Sequence, residues 1–195
     1  MLPAQSRVVA CGVAAVILSL LAASRRRAVR SVSLHAPGSA AYLIEKHILE
    51  TQVPARALGI RVASVDDVSL ALSAPLAQNR NVHGTAFAGS LYAVGVLSAY
   101  YLGRHWMESE GLLDGSFELV ARGGQIDYKR PIKSTIVARS VLPPAASLRV
   151  FRRTLEAEGK AFIEVRGCMV GADGDERIHC EYTINVCAFR PRSKM

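Results

Sequence analysis

Between Arg80 and Arg104 the chain carries no Lys, Arg, Asp or Glu. Ala and Leu are frequent there and β-branched residues are few, a composition that favours helix over strand. The spacing predicts a helix from about residue 85 to about residue 107, roughly six turns long. Gly89, Gly95 and Gly103, with a polar loop in front, suit a helix buried in a core better than one crossing a membrane. Thr85 is the expected N-cap. The start of such a helix presents unpaired backbone N–H groups and a partial positive charge. Gly84 and Gly89 let a ligand approach that backbone closely. A helix start of this kind can bind an anion or stabilise a developing oxyanion.

The rest of the chain reads mainly as strand. Residues 40–52 form a short helix that ends before Pro54. Strands are expected at 58–64 and 68–76, joined by a turn at Asp66-Asp67. Gly111 and Asp114-Gly115 close the helical region. Phe117, Leu119 and Ala121 then share a face, and after Gly123-Gly124 the apolar phase flips to Ile126 and Tyr128, as at a β-bulge. Pro131 ends that strand; 135–142 is the next, closed by Pro143-Pro144. Segments 148–156 and 160–170 read as a hairpin around Glu158-Gly159. In the last strand Ile178, Cys180, Tyr182, Ile184 and Val186 alternate with Arg177, His179, Glu181, Thr183 and Asn185. That is the pattern of a half-buried antiparallel strand. The periodicity gives an α+β fold with an antiparallel sheet.

Two motifs carry a resemblance. The first is Asn81-x-His83-Gly84-Thr85-x-Phe87-x-Gly89-Ser90-Leu91-Tyr92; the second is Ile126-Asp127-Tyr128-Lys129-Arg130-Pro131. Together they resemble the putative thioesterase domain of the hot-dog superfamily, which in some bacterial proteins lies C-terminal to an acetyltransferase domain. The resemblance covers roughly residues 38–190. It implies a hot-dog fold, with an antiparallel β-sheet wrapped around one long central helix. It also implies hydrolysis of an acyl thioester of coenzyme A or of an acyl carrier protein, at a site between the protomers of a homodimer, with no cofactor. The spacing from Asn81 to Gly89 further resembles Asn-x5-His-Gly-Gly of the phenylacetyl-CoA-type thioesterases. Here Phe87 stands in place of that family's His, and the acid which that family carries in its helix is missing.

On this resemblance the backbone N–H groups of Ala88 and Gly89 are the expected oxyanion donors. Asn81 would hold the attacking water or the carbonyl; alternatively it makes an Asx turn. His83 has the chemistry of a base near neutral pH, or is a loop histidine bonded to backbone. Gly84, Thr85, Phe87 and Ser90 are expected to border the substrate, with Tyr128, Lys129 and Arg130 from the second motif. Lys129, Arg130 and Lys133 could hold the phosphates of coenzyme A or the acidic surface of a carrier protein, or form a solvated rim. Asp127 is expected as a solvated strand charge unless it reaches a site across a dimer interface. The rival functions are a non-catalytic acyl-binding protein on the same fold and, more distantly, a dehydratase of hydroxyacyl thioesters.

Charge is uneven. The net charge is +8, and residues 1–37 contain five arginines and no acid. That argues for targeting or a membrane surface and against a nucleic-acid partner. Residues 8–23 are apolar and precede Arg25-Arg26-Arg27, which fits a short signal-anchor with the domain behind it on the cytosolic side. The competing expectations are a mitochondrial presequence and a peroxisomal address at Ser193-Lys194-Met195. The expected organisation is a leader and linker at 1–37, the folded domain at 38–190 and a tail at 191–195. Cys11, Cys168, Cys180 and Cys187 lack Cys-x-x-Cys spacing, so a disulfide framework and a metal site are not expected.

Overall fold

Six strands form one antiparallel sheet, and the long uncharged stretch lies across it as a helix. The computed structural model describes residues 35–174 and 177–191. In chain order the elements are α1 (Ala40–Thr51), α2 (Val53–Ala57), β1 (Arg61–Val65), β2 (Ser69–Ala74), α3 (Leu76–Asn79) and α4 (Ala88–Ser109). There follow β3 (Glu118–Tyr128), β4 (Ile136–Val141), α5 (Ala145–Glu158), β5 (Lys160–Gly171) and β6 (Cys180–Phe189). The strand order is β1-β2-β4-β5-β6-β3. A sheet wrapped on one central helix is the hot-dog layout.

Helix α4 buries Leu91, Val94, Ser98, Leu102 and Met107, a set spaced by three, four and five residues. The apolar side chains among these join Leu70, Leu72, Ala138, Met169, Tyr182 and Ile184 of the sheet in one core. Burying each large aliphatic side chain contributes about 1.5–3 kcal/mol. Gly95 sets the approach: a Cβ there would lie 2.8 Å from Met169 Cε and 3.4 Å from the Tyr182 ring. A chain of hydroxyls fixes the same contact. Tyr182 shares a 2.8 Å hydrogen bond with Ser140, Ser140 donates to Ser98 Oγ at 2.9 Å, and Ser98 donates to the Leu70 carbonyl at 3.1 Å. Burial pushes the Tyr182 phenol well above its ordinary pKa.

The glycine pair in β3 behaves as its pattern predicts. The β3–β6 register shifts between Ala121 and Gly123, which leaves Arg122 as the extra residue. Three expectations need correction. The hairpin at 148–170 is instead helix α5 followed by β5. Phe151 and Leu155 are buried and Leu148 packs against the core, three- and four-residue spacings of a helix face. Gly159, at φ +69°, ends the helix in the left-handed conformation. His179 does not share the solvent face of β6. It is 5% exposed, because β6 begins only at Cys180 and the His179 carbonyl accepts the Lys129 and Arg130 N–H groups.

The third correction concerns localisation. Among the described residues no helix is long and apolar enough to cross a membrane, which overturns the expectation of a membrane-anchored protein. Even α4, at 22 residues, carries Arg104 and Glu108 and packs on the sheet. The 8–23 segment, its presequence alternative and Ser193-Lys194-Met195 lie outside the described residues.

Candidate active site at the start of the long helix

The loop before α4 is fastened at both ends. Asn79, 2% exposed, donates through Nδ2 to the carbonyls of Leu58 at 2.8 Å and Pro75 at 2.7 Å. Its own carbonyl accepts the Phe87 N–H at 2.7 Å. Arg80 and Ala86 form a β-bridge, and the Ala86 N–H donates to the Ile132 carbonyl at 2.8 Å. Residues 130–133 therefore run beside the loop. Asn79 was not among the sequence candidates, although it begins the polar stretch; only its burial reveals its anchoring role.

Inside the loop Asn81 acts as the hub. Its Oδ1 accepts from the backbone N–H of His83 at 2.9 Å and of Thr85 at 3.2 Å, and its Nδ2 donates to Thr85 Oγ1 at 3.0 Å. The Gly84 N–H closes a turn onto the Asn81 carbonyl at 3.1 Å, with Gly84 at φ +74°. This ties up Thr85, so Thr85 is not the N-cap. The helix begins three residues later than expected, after Phe87, which makes no side-chain capping bond.

That difference shapes the site. With no side-chain cap, the N–H groups of Ala88, Gly89 and Ser90 lack intrahelical acceptors, and the first intrahelical bond runs from Leu91 N to Phe87 O at 3.0 Å. Phe87, Ala88 and Gly89 are exposed, whereas Ser90 and Leu91 are buried. The turn that carries the donors expected from the sequence therefore lies at the exposed start of a helix whose middle is buried. The His83 imidazole is exposed and makes no hydrogen bond among the described residues. The Ser90 side chain points into the protein, 5% exposed.

Strand β3 is strapped across this first turn. Tyr128 Oη donates to the Ala88 carbonyl at 3.0 Å, and Tyr92 Oη reaches the Gly124 carbonyl at 3.5 Å. Partial burial, with smaller contributions from Cys180 and Tyr92, raises the Tyr128 phenol pKa. Lys129 lies 2.6 Å from Glu181 and 3.9 Å from the exposed Asp127, so its charge is already partnered. Arg80, Arg130 and Lys133 are exposed and have no ion pair among the described residues. Arg80 escaped the sequence reading; only the pairing of its segment with Ala86 brings it beside 130–133. Among the described residues no group of His, Cys, Asp and Glu is arranged to hold a metal ion.

Comparisons with known proteins bear on the family and the fold. A family model described as "Putative thioesterase (yiiD_Cterm)" matches residues 44–183. Among solved structures, a protein of unknown function from Chlorobaculum tepidum is 22% identical, with a TM-score of 0.68 over 77% of this chain and 94% of that one. A "putative thioesterase" from Shewanella oneidensis is 22% identical, with a TM-score of 0.63 over 77% of this chain and 97% of that one. The E. coli PaaI protein from the phenylacetic acid degradation operon is 16% identical, with a TM-score of 0.51 over 78% and 94%. At these identities the structural likeness establishes the fold. No curated protein sequence matches.

Proposed function

The chain belongs to the putative thioesterase family, whose named activity is thioester hydrolysis, and from that premise we propose that it hydrolyses acyl thioesters of coenzyme A or an acyl carrier protein. The observation that carries this reading is the exposed, uncapped first turn of α4. The thioester carbonyl would sit against the Ala88 and Gly89 N–H groups, which gain most as negative charge develops on its oxygen. His83 would take a proton from water. Asn81 acts as a positioning residue, holding His83 and Thr85 through the backbone bonds of its side chain. Gly84, Thr85 and Phe87 border the substrate. Ser90, buried beneath them, supports the floor and Tyr128 supports one wall. Arg130, joined by Arg80 and Lys133, is the cation best placed to meet phosphate; Lys129 contributes less because Glu181 holds it.

The second half of the site would come from another copy of the chain. Strand β3 is at the end of the sheet, so its outer edge is available for pairing into a homodimer. Thiol release from a panel of acyl-CoA esters tests the activity. His83→Ala is expected to lower kcat by about 100-fold or more with little change in KM. Full activity in both His83→Ala and Asn81→Ala would remove these residues from the mechanism. Tight acyl-CoA binding with no turnover by the unsubstituted protein would make it an acyl-binding protein instead.

A further inference from the structure

We propose that the Phe87 ring is a displaceable cover on the helix-start donors, and that only an apolar acyl group of several carbons displaces it efficiently. This selectivity rests on the thioesterase reading; the ring's displacement does not.

The ring folds back onto Gly89. A Cβ built on Gly89 would meet nothing but that ring as its nearest neighbours, with Cζ at 3.0 Å, Cδ1 at 3.2 Å and Cε1 closer still. Cα–Cβ bonds in a helix tilt toward its N-terminus. The ring therefore lies against the outside of the first turn at Gly89, whose N–H is one of the donors expected at the helix start. Gly89 is the residue that makes this seat possible.

Little else holds the ring there. Phe87 is 55% exposed, lies outside the hydrophobic core and stacks on no other ring among the described residues. The side chain can swing away by rotating about its own bonds. The apolar surface around it stays. Tyr128, bonded to Ala88, is 46% exposed, and Tyr92, one turn on, is 36% exposed. An alkyl or aryl acyl group that took the ring's place would bury this surface and gain about fourfold in affinity per methylene. An acetyl group has too little hydrocarbon to compete with the ring.

The contact also links two residues in a way that a merely structural role would not. Gly89→Ala should expel the ring without unfolding the helix, because the obstructing atoms are the far end of a rotatable side chain. Phe87→Ala removes the ring outright. Both should have the same effect on selectivity, and combining them should add nothing further.

The test uses the full chain and two readouts. In the first, kcat and KM are measured on acetyl-, butyryl- and octanoyl-CoA. The unsubstituted protein should favour octanoyl over acetyl by about tenfold or more in kcat/KM. In Phe87→Ala, Gly89→Ala and the double variant that preference should collapse to a common, smaller value. An unchanged length profile in Phe87→Ala, or additive effects in the double variant, would overturn the proposal. In the second, 4-fluorophenylalanine is placed at position 87 alone, and its fluorine resonance is followed as S-octyl-coenzyme A, a non-hydrolysable thioether, is added. A shift with S-octyl-coenzyme A and none with coenzyme A supports displacement by the acyl group. No shift overturns the proposal even if hydrolysis is normal. A shift in a protein that hydrolyses nothing overturns the thioesterase reading and leaves the displaceable ring in place.

Discussion

The two edges of the sheet are finished in opposite ways. At β1 the chain closes its own edge. Glu45 of α1 accepts the Val62 N–H at 2.9 Å, and His35 Nε2 lies 2.8 Å from the Val62 carbonyl. That strand has five residues, and its register shifts between Val62 and Ser64. Strand β3 has 11 residues, and among the described residues nothing pairs along its outer edge. Unpaired strand edges invite pairing with another chain, and proteins usually blunt the edges they do not use. Here the open edge is strapped to the helix start through Tyr128 and Tyr92. The difference places self-association, if it follows the open edge, next to the candidate chemistry.

Adding a charge to the open edge is the strongest way to break this comparison. A Cβ on Gly124 would lie 3.0 Å from the Thr183 carbonyl oxygen and 3.3 Å from Tyr92 Oη, whereas a Cβ on Gly123 meets nothing within 4 Å. Gly123→Glu should therefore fold normally. In a dimer paired through β3 it would trap an unpartnered charge, raising the dissociation constant by about 100-fold. Sedimentation velocity checks this, with circular dichroism as the control for folding. Undiminished association would place the dimer interface elsewhere.

Opening the closed edge should cost less. Glu45→Ala leaves the Val62 N–H without its acceptor, a loss of about 1–3 kcal/mol for a partly buried group. For a domain of this size that is a fall in Tm of about 2–4 °C per kcal/mol. Glu45→Gln retains an oxygen acceptor and should recover most of the loss. If the glutamine variant melts no higher than the alanine variant, the hydrogen bond is not what closes the edge, and the 3.9 Å ion pairs of Glu45 with Arg61 and His35 are the alternative.

The features legible in the sequence were those written in neighbouring residues. An uncharged run gives α4, and a phase flip at Gly123-Gly124 gives the bulge. Helix α5 was hidden because Leu148 and Val150 also satisfy an alternating pattern, and only Phe151 with Leu155 reveals the helical face. The plug at β1 was not legible, since Glu45 and Val62 are 17 residues apart and nothing local links them. At the candidate site the polar loop and the free donors could be anticipated. The helix start could not, because Thr85 can cap a helix or bond Asn81, and tertiary anchoring of the loop decides between them. The partnering of Lys129 by Glu181 depends on β3–β6 pairing, which no motif encodes.

The smallest predicted effect tests whether the open edge also moves more. Burial raises the thiol pKa of both Cys168 and Cys180 from 9.0 to about 11. The folded protein thus favours the neutral thiols. That preference is complete below the unfolded value of 9.0 and is lost as pH rises through about 11. Stability should accordingly decline between those pH values, by at most about 1.4 kcal/mol per pH unit for each thiol. Below that range both thiols react only when the sheet opens. Cys180 is the register partner of Tyr128, at the end of the open strand, whereas Cys168 pairs with Arg139 and Glu181 in the middle of the sheet. Local openings start where fewest contacts hold the chain. In monomeric Gly123→Glu at pH 8, an alkylating reagent should therefore modify Cys180 a few-fold faster than Cys168, read peptide by peptide in a mass spectrometer. If copies of the unsubstituted protein pair along β3, the two rates should come together. Equal rates in the monomer would mean that β3, though unpaired, opens no more readily than the centre of the sheet.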